Sequence, residues 1–205
     1  VPAGMPEPNT PDYTRAVVNA ALPVIEASGG RTFLLFTSLR AMREAHGLLL
    51  DALARRKLDF PLLMQCESSR TELLERFRRL GNAVLIGSQS FWEGVDVKGE
   101  ALSLVVIDKL PFSAPDDPVL AARIDKLNQE GRNAFLEYQL PKAVITLKQG
   151  AGRLIRDETD RGVLMICDPR LYSKGYGRRI LQSLPPMRRT RNEADAVAFF
   201  TTADA

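Results

Sequence analysis

The sequence of 205 residues has little of what several classes of protein require. Its two cysteines and single histidine are too few for a disulfide scaffold, a closed zinc site, a four-thiolate iron–sulfur cluster or a mechanism that needs two imidazoles. No apolar run approaches the roughly 20 residues of a membrane span, and the first residues lack the basic start and apolar stretch of a signal peptide. We therefore expect a cytoplasmic protein with reduced cysteines.

The chain also lacks the parts that hold the phosphates of a nucleotide and their metal ion. No Gly-Lys dipeptide occurs, so there is no Gly-x-x-x-x-Gly-Lys-Ser/Thr loop, and no predicted strand ends in the paired acids that hold magnesium. By itself the chain is predicted not to hydrolyse ATP. Because it starts at Val1, we expect it to be part of a longer protein whose other part holds half of the chemistry.

The remaining composition is that of an ordinary globular protein. Hydrophobic residues make up 45% and charged residues 26% of the chain, which excludes a disordered or fibrous protein and predicts one large domain. The formal net charge of +3 permits nucleic-acid binding without requiring it. Residues 169–192 hold seven basic residues and no acidic one, a run that suits either a solvated face or contacts with phosphates.

Apolar runs alternate with helical patterns along the chain. The predicted strands are 32–37, a short strand at 62–65, and 83–86, 102–107 and 162–167. All except the short strand are predicted to be buried. This alternation predicts the α/β class, with a parallel sheet covered by helices on both faces. Because ligands bind at the carboxyl ends of the strands in such sheets, functional loops are predicted at 37–38, 87–99 and 109–116.

Capping signals predict where the helices begin. Asp12, Ser38 and Asp117 are predicted N-caps, and Ser69–Glu72 has the Ser-x-x-Glu pattern of a capping box. A long helix is predicted over about 133–147, kinked at its proline. The predicted apolar positions of the helix after Ser38 are Leu39, Met42, Leu49, Leu50 and Leu53.

The prolines divide the chain. Four of the first twelve residues are proline, which forbids a helix and predicts a linker over 1–12. The sheet and its helices are predicted to occupy 13–184. A C-terminal tail then follows over 185–205.

The strongest functional signal is QGAGRLIR at 149–156. If these residues are helical, Gln149, Arg153 and Arg156 share one face, so an amide and two guanidinium groups converge. The fixed, always-charged fork of arginine suits a transferring phosphoryl group, and the two glycines permit another backbone to approach closely. The competing interpretation is a solvated arginine pair at a helix end.

The second signal is SQSFWEGVDVKG at 88–99, directly after a predicted strand. Its glycines permit close approach, its hydroxyls and amides suit an anion, and Asp96 would orient an arginine or a ribose. Phe91 and Trp92 are unusual in a loop. In the competing interpretation these two aromatic residues cap the core and Asp96 makes a turn.

The third signal is the pair Thr37 and Ser38. Here a predicted strand delivers two hydroxyl groups to the start of a helix. An N-cap and a bound phosphate use the same geometry at such a position, so both interpretations stand together.

These segments, taken in order, resemble a known family. LLFTS at 34–38, SFWEGVDVKG at 90–99, IDKLPF at 107–112 and QGAGRLIR at 149–156 are similar to motifs IV, V and VI of the DinG/XPD family of superfamily 2 DNA helicases. IDKLPF and SLPPM look most like its bacterial YoaA branch. The resemblance, which runs from about residue 30 to 184, implies a RecA-like (P-loop NTPase-like) fold and the second motor lobe of an ATP-dependent, 5′ to 3′ DNA helicase of DNA repair and replication.

The resemblance also implies roles for individual residues. Arg153 and Arg156 would be catalytic arginine fingers on the ATP phosphates, supported by Gln149. Beside the nucleotide it implies Glu93, Gly94 and Asp96, and along the DNA strand it implies Thr37, Ser38, Ser90 and Phe112. ATP with Mg²⁺ would be shared with a first RecA-like lobe that also holds a 4Fe–4S cluster, and the substrate would be single-stranded or forked DNA in the bacterial nucleoid.

The tail suggests a second class of function. Its apolar residues stand among arginines and then acids, so they are either tucked onto their own domain or offered to a partner. The resemblance implies the chi subunit of the replicative clamp loader as that partner, and the predicted contacts are Arg188, Arg189, Arg191, Val197, Phe199 and Phe200. A third interpretation is a free-standing phosphate-binding domain, which would bind a nucleotide without another lobe.

Overall fold

A computed structural model describes residues 1–88, 91, 101–113, 117–152, 154 and 161–202. The strands in this part of the chain are β1 (Thr32–Phe36), β2 (Leu62–Met64), β3 (Val84–Ser88), β4 (Leu104–Ile107) and β5 (Val163–Ile166). They form one sheet in the order β2-β3-β1-β4-β5, and every neighbouring pair is parallel. The predicted parallel α/β sheet is confirmed, and each strand lies within two residues of its predicted bounds.

Helices connect and cover these strands. The described helices are α1 (Tyr13–Ala27), α2 (Leu39–Arg56), α3 (Arg70–Leu80), α4 (Pro118–Gln129), α5 (Leu140–Ala151), α6 (Arg170–Ser173), α7 (Gly177–Ser183) and α8 (Glu193–Thr201). A π-helix over Phe135–Gln139 runs directly into α5. The region predicted as one kinked helix is therefore helical, but its irregularity precedes Pro141, which lies in the first turn of α5, where a missing N–H is tolerated.

Two hydrophobic clusters hold the helices to the two faces of the sheet. Side chains alternate along β1, so Phe33 and Leu35 join the cluster on one face, whereas Leu34 and Phe36 join the cluster on the other. The first cluster includes residues of α3, α5 and α7, and the second includes residues of α1 and α2. The continuous apolar runs of the sequence thus arise from strands that are covered on both sides.

The predicted caps of three helices are confirmed. The side-chain oxygen of Ser38 accepts from the N–H of Ala41, that of Ser69 from the N–H of Glu72, and that of Asp117 from the N–H of Val119. Asp12 precedes α1, but its side chain makes no capping hydrogen bond.

The apolar face predicted for α2 is partly wrong. Leu39 is 46% exposed and Leu50 is 48% exposed. The buried stripe of α2 contains Met42 and Leu49. Leu50 follows Leu49 by one residue, which turns its side chain about 100° away from that stripe, and Leu39 lies in the first turn of the helix.

The tail lies on its own domain. Helix α8 packs against α1, and its Val197 and Phe200 pack, partly buried, against the cluster that α1 helps to form. The main-chain N–H of Ala3 donates to the carbonyl of Arg191 at 3.0 Å. Between this tail and β5 is a cavity of about 650 Å³. No helix in the described part of the chain is long and apolar enough to cross a membrane.

Candidate functional site

The described residues of the predicted site lie at opposite edges of the sheet. All strands run in the same direction, so their carboxyl ends form one edge and their amino ends form the other. Strands of this length separate the two edges by about 15 Å. Thr37 and Ser38 directly follow β1 and therefore lie at the carboxyl edge.

Gln149 belongs near the amino edge, because it lies in the last turn of α5, the helix that precedes β5. Leu154, three residues after α5 ends, confirms this location. Its side chain lies against Gly162, which precedes β5, and the space at Gly162 is also bounded by the carbonyl of Ser103, which precedes β4. The expectation that ligands gather at the carboxyl ends therefore misses this half of the predicted site.

At the carboxyl edge, one carboxylate holds Thr37. Asp108 directly follows β4, is 1% exposed, and accepts the N–H of Thr37 on Oδ1 at 3.0 Å and its hydroxyl on Oδ2 at 3.3 Å. Burial raises the pKa of Asp108 to about 7, against the opposing effects of Lys109 and of the Thr37 hydrogen bonds. When this carboxyl group is charged, both donors of Thr37 are engaged inward, so Thr37 has none to offer a phosphate.

Ser38 is better placed to meet an anion. Its hydroxyl oxygen accepts from the N–H of Ala41 at 3.2 Å, which leaves the hydroxyl proton free to donate elsewhere. The residue is half-buried at the N-terminus of the 18-residue helix α2, where the aligned peptide dipoles favour negative charge.

The start of the loop after β3 is fixed at the same edge. The side-chain oxygen of Gln65 accepts the N–H of Ser88 at 2.6 Å and its hydroxyl at 2.8 Å. The ring of Phe91 is 3% exposed, packs on Gly87, and has the guanidinium of Arg70 at 5.6 Å from its centroid. Phe91 therefore caps the core, as in the competing interpretation of this motif.

Phe112 is anchored in an aromatic cluster. Its ring packs against the rings of Phe135 at 5.4 Å and Tyr176 at 5.8 Å. The guanidinium of Arg170 lies 5.4 Å from the same ring and pairs with the fully buried carboxylate of Asp168 at 2.6 Å. The predicted strand contact at Phe112 is thus a half-buried, supported ring at the carboxyl edge.

At the amino edge, the geometry predicted for QGAGRLIR needs correction. The shared helical face requires a helix through residue 156, but α5 ends at Ala151 and Leu154 lies in a turn. The two glycines of the motif lower its helix propensity, which accounts for the early end. Arg153 and Arg156 lie outside the described residues, so their convergence with Gln149 stays a prediction.

The segment between β3 and β4, like every connection in this parallel sheet, runs from the carboxyl edge back to the amino edge. The chain leaves β3 at the carboxyl edge and enters β4 at the amino edge. The residues between these strands include Ser90, Glu93, Gly94 and Asp96, which lie outside the described residues.

The described residues do not fit a metal ion or an iron–sulfur cluster. In this part of the chain no group of three or more His, Cys, Asp or Glu side chains could hold a metal ion. Cys66 is exposed, whereas Cys167 is buried, where burial raises the pKa of its thiol above the usual range. Magnesium and the 4Fe–4S cluster therefore stay predictions for another part of the protein.

Some of the predicted partner contacts of the tail pack against their own domain, and others lie at the surface. Val197 and Phe200 pack inward, and the ring of Phe199 lies under the guanidinium of Arg161 at 5.2 Å. Arg191 stacks over Tyr172 at 4.9 Å, and Arg189 donates to the carbonyl of Leu181 at 2.7 Å. Arg188 is exposed and lines the cavity beside β5.

Sequence reasoning missed Gln65, Asp108, Asp168 and Arg170. The two aspartates had a visible signal, because each directly follows an apolar run, in LVVID and LMICD. An acidic residue directly after such a run is a candidate for a buried carboxyl group, and a buried carboxyl group needs hydrogen-bond or ion-pair partners. Gln65 had no comparable signal, since its partner Ser88 is 23 residues away.

Comparisons with known proteins agree with this fold. Residues 21–187 match the family model described as helicase C-terminal domain. The chain is 51% identical over 195 residues to the ATP-dependent DNA helicase YoaA of Escherichia coli K12, covering 95% of this chain and 30% of that protein. It is 43% identical over 169 residues to the ATP-dependent helicase DinG of Mycobacterium tuberculosis H37Rv, covering 82% of this chain and 25% of that protein.

A comparison of structures gives the same fold. An XPD helicase structure has a TM-score of 0.62 and 21% identity, over 91% of this chain and 33% of that chain. This likeness shows that the sheet is RecA-like. The chain spans less than a third of the length of the curated relatives that it matches here.

Proposed function

This chain belongs to the helicase C-terminal domain family, of the DinG and YoaA type, and from that premise we propose that it is the second motor lobe of an ATP-dependent 5′ to 3′ DNA helicase. The observation that carries the proposal is the two-edged arrangement. The described residues of the segments similar to motif IV and motif VI lie at opposite edges of one sheet, and the segment similar to motif V belongs to the connection from β3 at one edge to β4 at the other. A helicase motor must couple ATP hydrolysis to its contacts with DNA, so it needs a connection between the two sites.

The amino edge serves the nucleotide in this proposal. Arg153 and Arg156 extend to the phosphates of ATP with Gln149 beside them, and Glu93, Gly94 and Asp96 complete this side of the pocket. A first RecA-like lobe supplies the Walker motifs, the ligands of Mg²⁺ and the 4Fe–4S cluster. Closure of the two lobes around ATP is the moving step, and bound ATP would supply the γ-phosphoryl group that is transferred to water.

The carboxyl edge serves single-stranded or forked DNA. The hydroxyl of Ser38 donates a hydrogen bond to a phosphate of the DNA backbone at the N-terminus of α2. Ser90 and Thr37 lie along the same DNA strand. Phe112, supported by its aromatic neighbours, offers a ring face to a base. The place of action is the nucleoid of a bacterial cytoplasm.

The test separates the two edges in the complete helicase. Arg156→Ala should lower DNA-stimulated ATP hydrolysis by about 10³-fold or more, because an arginine finger contributes about 10³ to 10⁵ in rate. Its affinity for single-stranded DNA should stay within about twofold of the parent value. The matched control is Arg179→Ala, an exposed arginine of α7, which should leave both quantities unchanged. Normal turnover in Arg156→Ala contradicts the proposal.

The isolated chain gives a second test. As half of a motor, it should not hydrolyse ATP and should bind labelled ATP weakly or not at all. Tight ATP binding by the isolated chain would favour the free-standing phosphate-binding domain instead.

A second function, docking of a replication partner, is favoured by the surface beside β5. We propose that the chi subunit of the clamp loader contacts Arg188 and Arg189, which line the cavity between the tail and β5. Val197 and Phe200 lie inward, so they act by holding α8 in place rather than by direct contact.

The packing of the tail changes how this docking is tested. Deletion of residues 186–205 would remove α8 and uncover α1, so lost binding would have two explanations. Charge reversal by Arg188→Glu with Arg189→Glu should instead weaken chi binding at least about tenfold, since charge pairs at interfaces are worth on the order of 1 kcal/mol or more each. Arg178→Glu, on the exposed side of α7, is the control. Undiminished affinity in the double variant contradicts this second function.

A further inference from the structure

The contact between Asp108 and Thr37 is unusual because a carboxylate lies directly beneath a proposed phosphate contact. Asp108 is 1% exposed, and it makes no ion pair with any residue in the described part of the chain. Its two oxygens accept the two donors of Thr37. A negative charge at this position repels a phosphate. It also accepts the hydrogen bond of the Thr37 hydroxyl, which is then not available to the phosphate.

The surroundings of Asp108 stabilise its charge less than burial destabilises it. From α1, the hydroxyl of Tyr13 donates to the main-chain carbonyl of Asp108 at 2.6 Å, not to its carboxylate. From the end of β5 come Cys167, which is buried and uncharged, and Asp168, whose charge is paired with Arg170.

The remaining neighbour is Lys109, which is half-exposed: its main-chain N–H donates to the carboxyl group of Asp108 and its charge lies nearby, and both lower the pKa of Asp108. Burial outweighs it and raises that pKa to about 7. The carboxyl group therefore changes its protonation within the range in which bacterial cytoplasm and ordinary buffers lie.

We propose that Asp108 is a positioning residue whose proton decides whether Thr37 donates its hydroxyl inward or offers it to a phosphate of the DNA backbone. The proposal rests on the proposed function of the carboxyl edge. In the charged state, Thr37 donates both its N–H and its O–H to Asp108. In the neutral state, a proton from solvent sits on Oδ2, this O–H donates to Oγ1 of Thr37, and the proton of Thr37 turns outward.

The two states differ in how they bind DNA. A phosphate near Thr37 repels charged Asp108 and accepts the outward hydroxyl of the neutral state, so DNA favours proton uptake. By linkage, uptake of one proton strengthens binding by up to about tenfold for each pH unit lowered across the titration. Between pH 8 and pH 6 the affinity for single-stranded DNA should rise accordingly.

Asp108→Asn separates this role from a structural one. The asparagine oxygen still accepts the N–H of Thr37, and its amide N–H₂ donates to Oγ1, so the variant copies the neutral state. Thr37→Val removes the hydroxyl, and Thr37→Ser restores it. His46→Gln is the matched control, since His46 is the sole histidine of the chain and lies on α2, outside the pair of Thr37 and Asp108.

The experiment measures the affinity of the complete helicase for a labelled oligothymidylate from pH 6 to pH 8 at constant ionic strength. Asp108→Asn should bind the oligonucleotide at pH 8 as tightly as the parent binds it at pH 6. Its affinity should lack the part of the pH dependence that comes from position 108. Thr37→Val should bind weakly at both pH values, whereas His46→Gln should keep the parental slope. A parental slope in Asp108→Asn overturns the proposal.

A second readout separates this proposal from the proposed function. In this chain without DNA, the amide proton shift of Thr37 should titrate near pH 7 in the parent and stay constant in Asp108→Asn, measured by NMR. A constant parental shift overturns the proton switch. Suppose instead that the shift titrates but no form of the helicase binds DNA at any pH. The proposed function of the carboxyl edge is then wrong, and so is the claim that a DNA phosphate accepts the hydrogen bond of the Thr37 hydroxyl.

Discussion

The two edges of the sheet are held together by different kinds of contact. At the carboxyl edge, buried polar side chains hold one another in place: Asp108 holds Thr37, and Gln65 holds Ser88. At the amino edge, main-chain groups are the partners: the buried hydroxyls of Ser28 and Thr32 both donate to the carbonyl of Gly30, and main chains approach closely. A Cβ atom at Gly30 would lie 2.0 Å from the carbonyl oxygen of Asn82.

This difference indicates two kinds of surface. An edge made of satisfied polar side chains keeps its geometry without a ligand, because each group already has a partner. An edge where glycines and main-chain groups make the contacts permits close approach of another backbone. The contrast fits a lobe that holds DNA with its own residues and shares its nucleotide with another lobe.

The largest effect is expected at the carboxyl edge, in the pH dependence of stability. Folding raises the pKa of Asp108 from 3.8 to about 7, so between pH 4 and pH 7 the folded state binds more protons than the unfolded state. Stability therefore falls as the pH rises through this window. The free energy of unfolding should decrease by about 1 to 4 kcal/mol more in the parent than in Asp108→Asn between pH 4 and pH 8.

Urea denaturation at several pH values measures this effect, with Asp117→Asn as a control because Asp117 is an exposed N-cap. Equal pH dependence in the parent and in Asp108→Asn would show that Asp108 is not the source.

The next effect is expected at the amino edge. In Gly162→Ala the new Cβ would lie 2.5 Å from Cδ1 of Leu154 and 2.8 Å from the carbonyl oxygen of Ser103. The main chain cannot move as easily as a leucine side chain, so the variant should lose about 1 to 3 kcal/mol of stability. Because Leu154 lies between Arg153 and Arg156, DNA-stimulated ATP hydrolysis should fall more than DNA affinity does.

Gly175→Ala is the control for this variant, since a Cβ there has nothing within 4 Å. Thermal unfolding and both activities of the complete helicase measure the outcome. A Gly162→Ala variant that loses DNA affinity but keeps its hydrolysis rate would reverse the assignment of the edges.

The smallest effect is expected for two similar caps. Ser38→Ala and Ser69→Ala each remove a side-chain oxygen that accepts a main-chain N–H three residues on. Each should cost about 1 kcal/mol of stability. Only Ser38→Ala should also weaken binding of single-stranded DNA, by several-fold, as measured by fluorescence anisotropy. Equal DNA affinities of the two variants would remove Ser38 from the strand contact.

The sequence was sufficient for the strands and for the longer helices before β5 because these depend on local pattern, whereas α6, α7 and α8 were not predicted. Strands such as β1 and β4 are continuous apolar runs, and the caps at Ser38, Ser69 and Asp117 act on residues two or three positions away. A periodic pattern does not show how far a helix extends past the sheet, which is why the exposure of Leu39 was not predicted.

Most of the candidate site could not be read in this way because its contacts are distant in sequence. Thr37 and Asp108 are 71 residues apart, and their contact requires β1 and β4 to be neighbours in the sheet. The order of the strands, and with it the opposite positions of Ser38 and Gln149, follows from packing of the whole chain rather than from local preference.

The central claim, that the amino edge serves ATP and the carboxyl edge serves DNA, is tested most directly by hydrogen exchange in the complete helicase. A non-hydrolysable ATP analogue alone should slow exchange of the main-chain amides at 101–103 and 149–154, and a single-stranded oligonucleotide alone should slow exchange at 37–41 and at Ser88. If both ligands slow exchange at the same edge, or if the two patterns are exchanged, the account is contradicted.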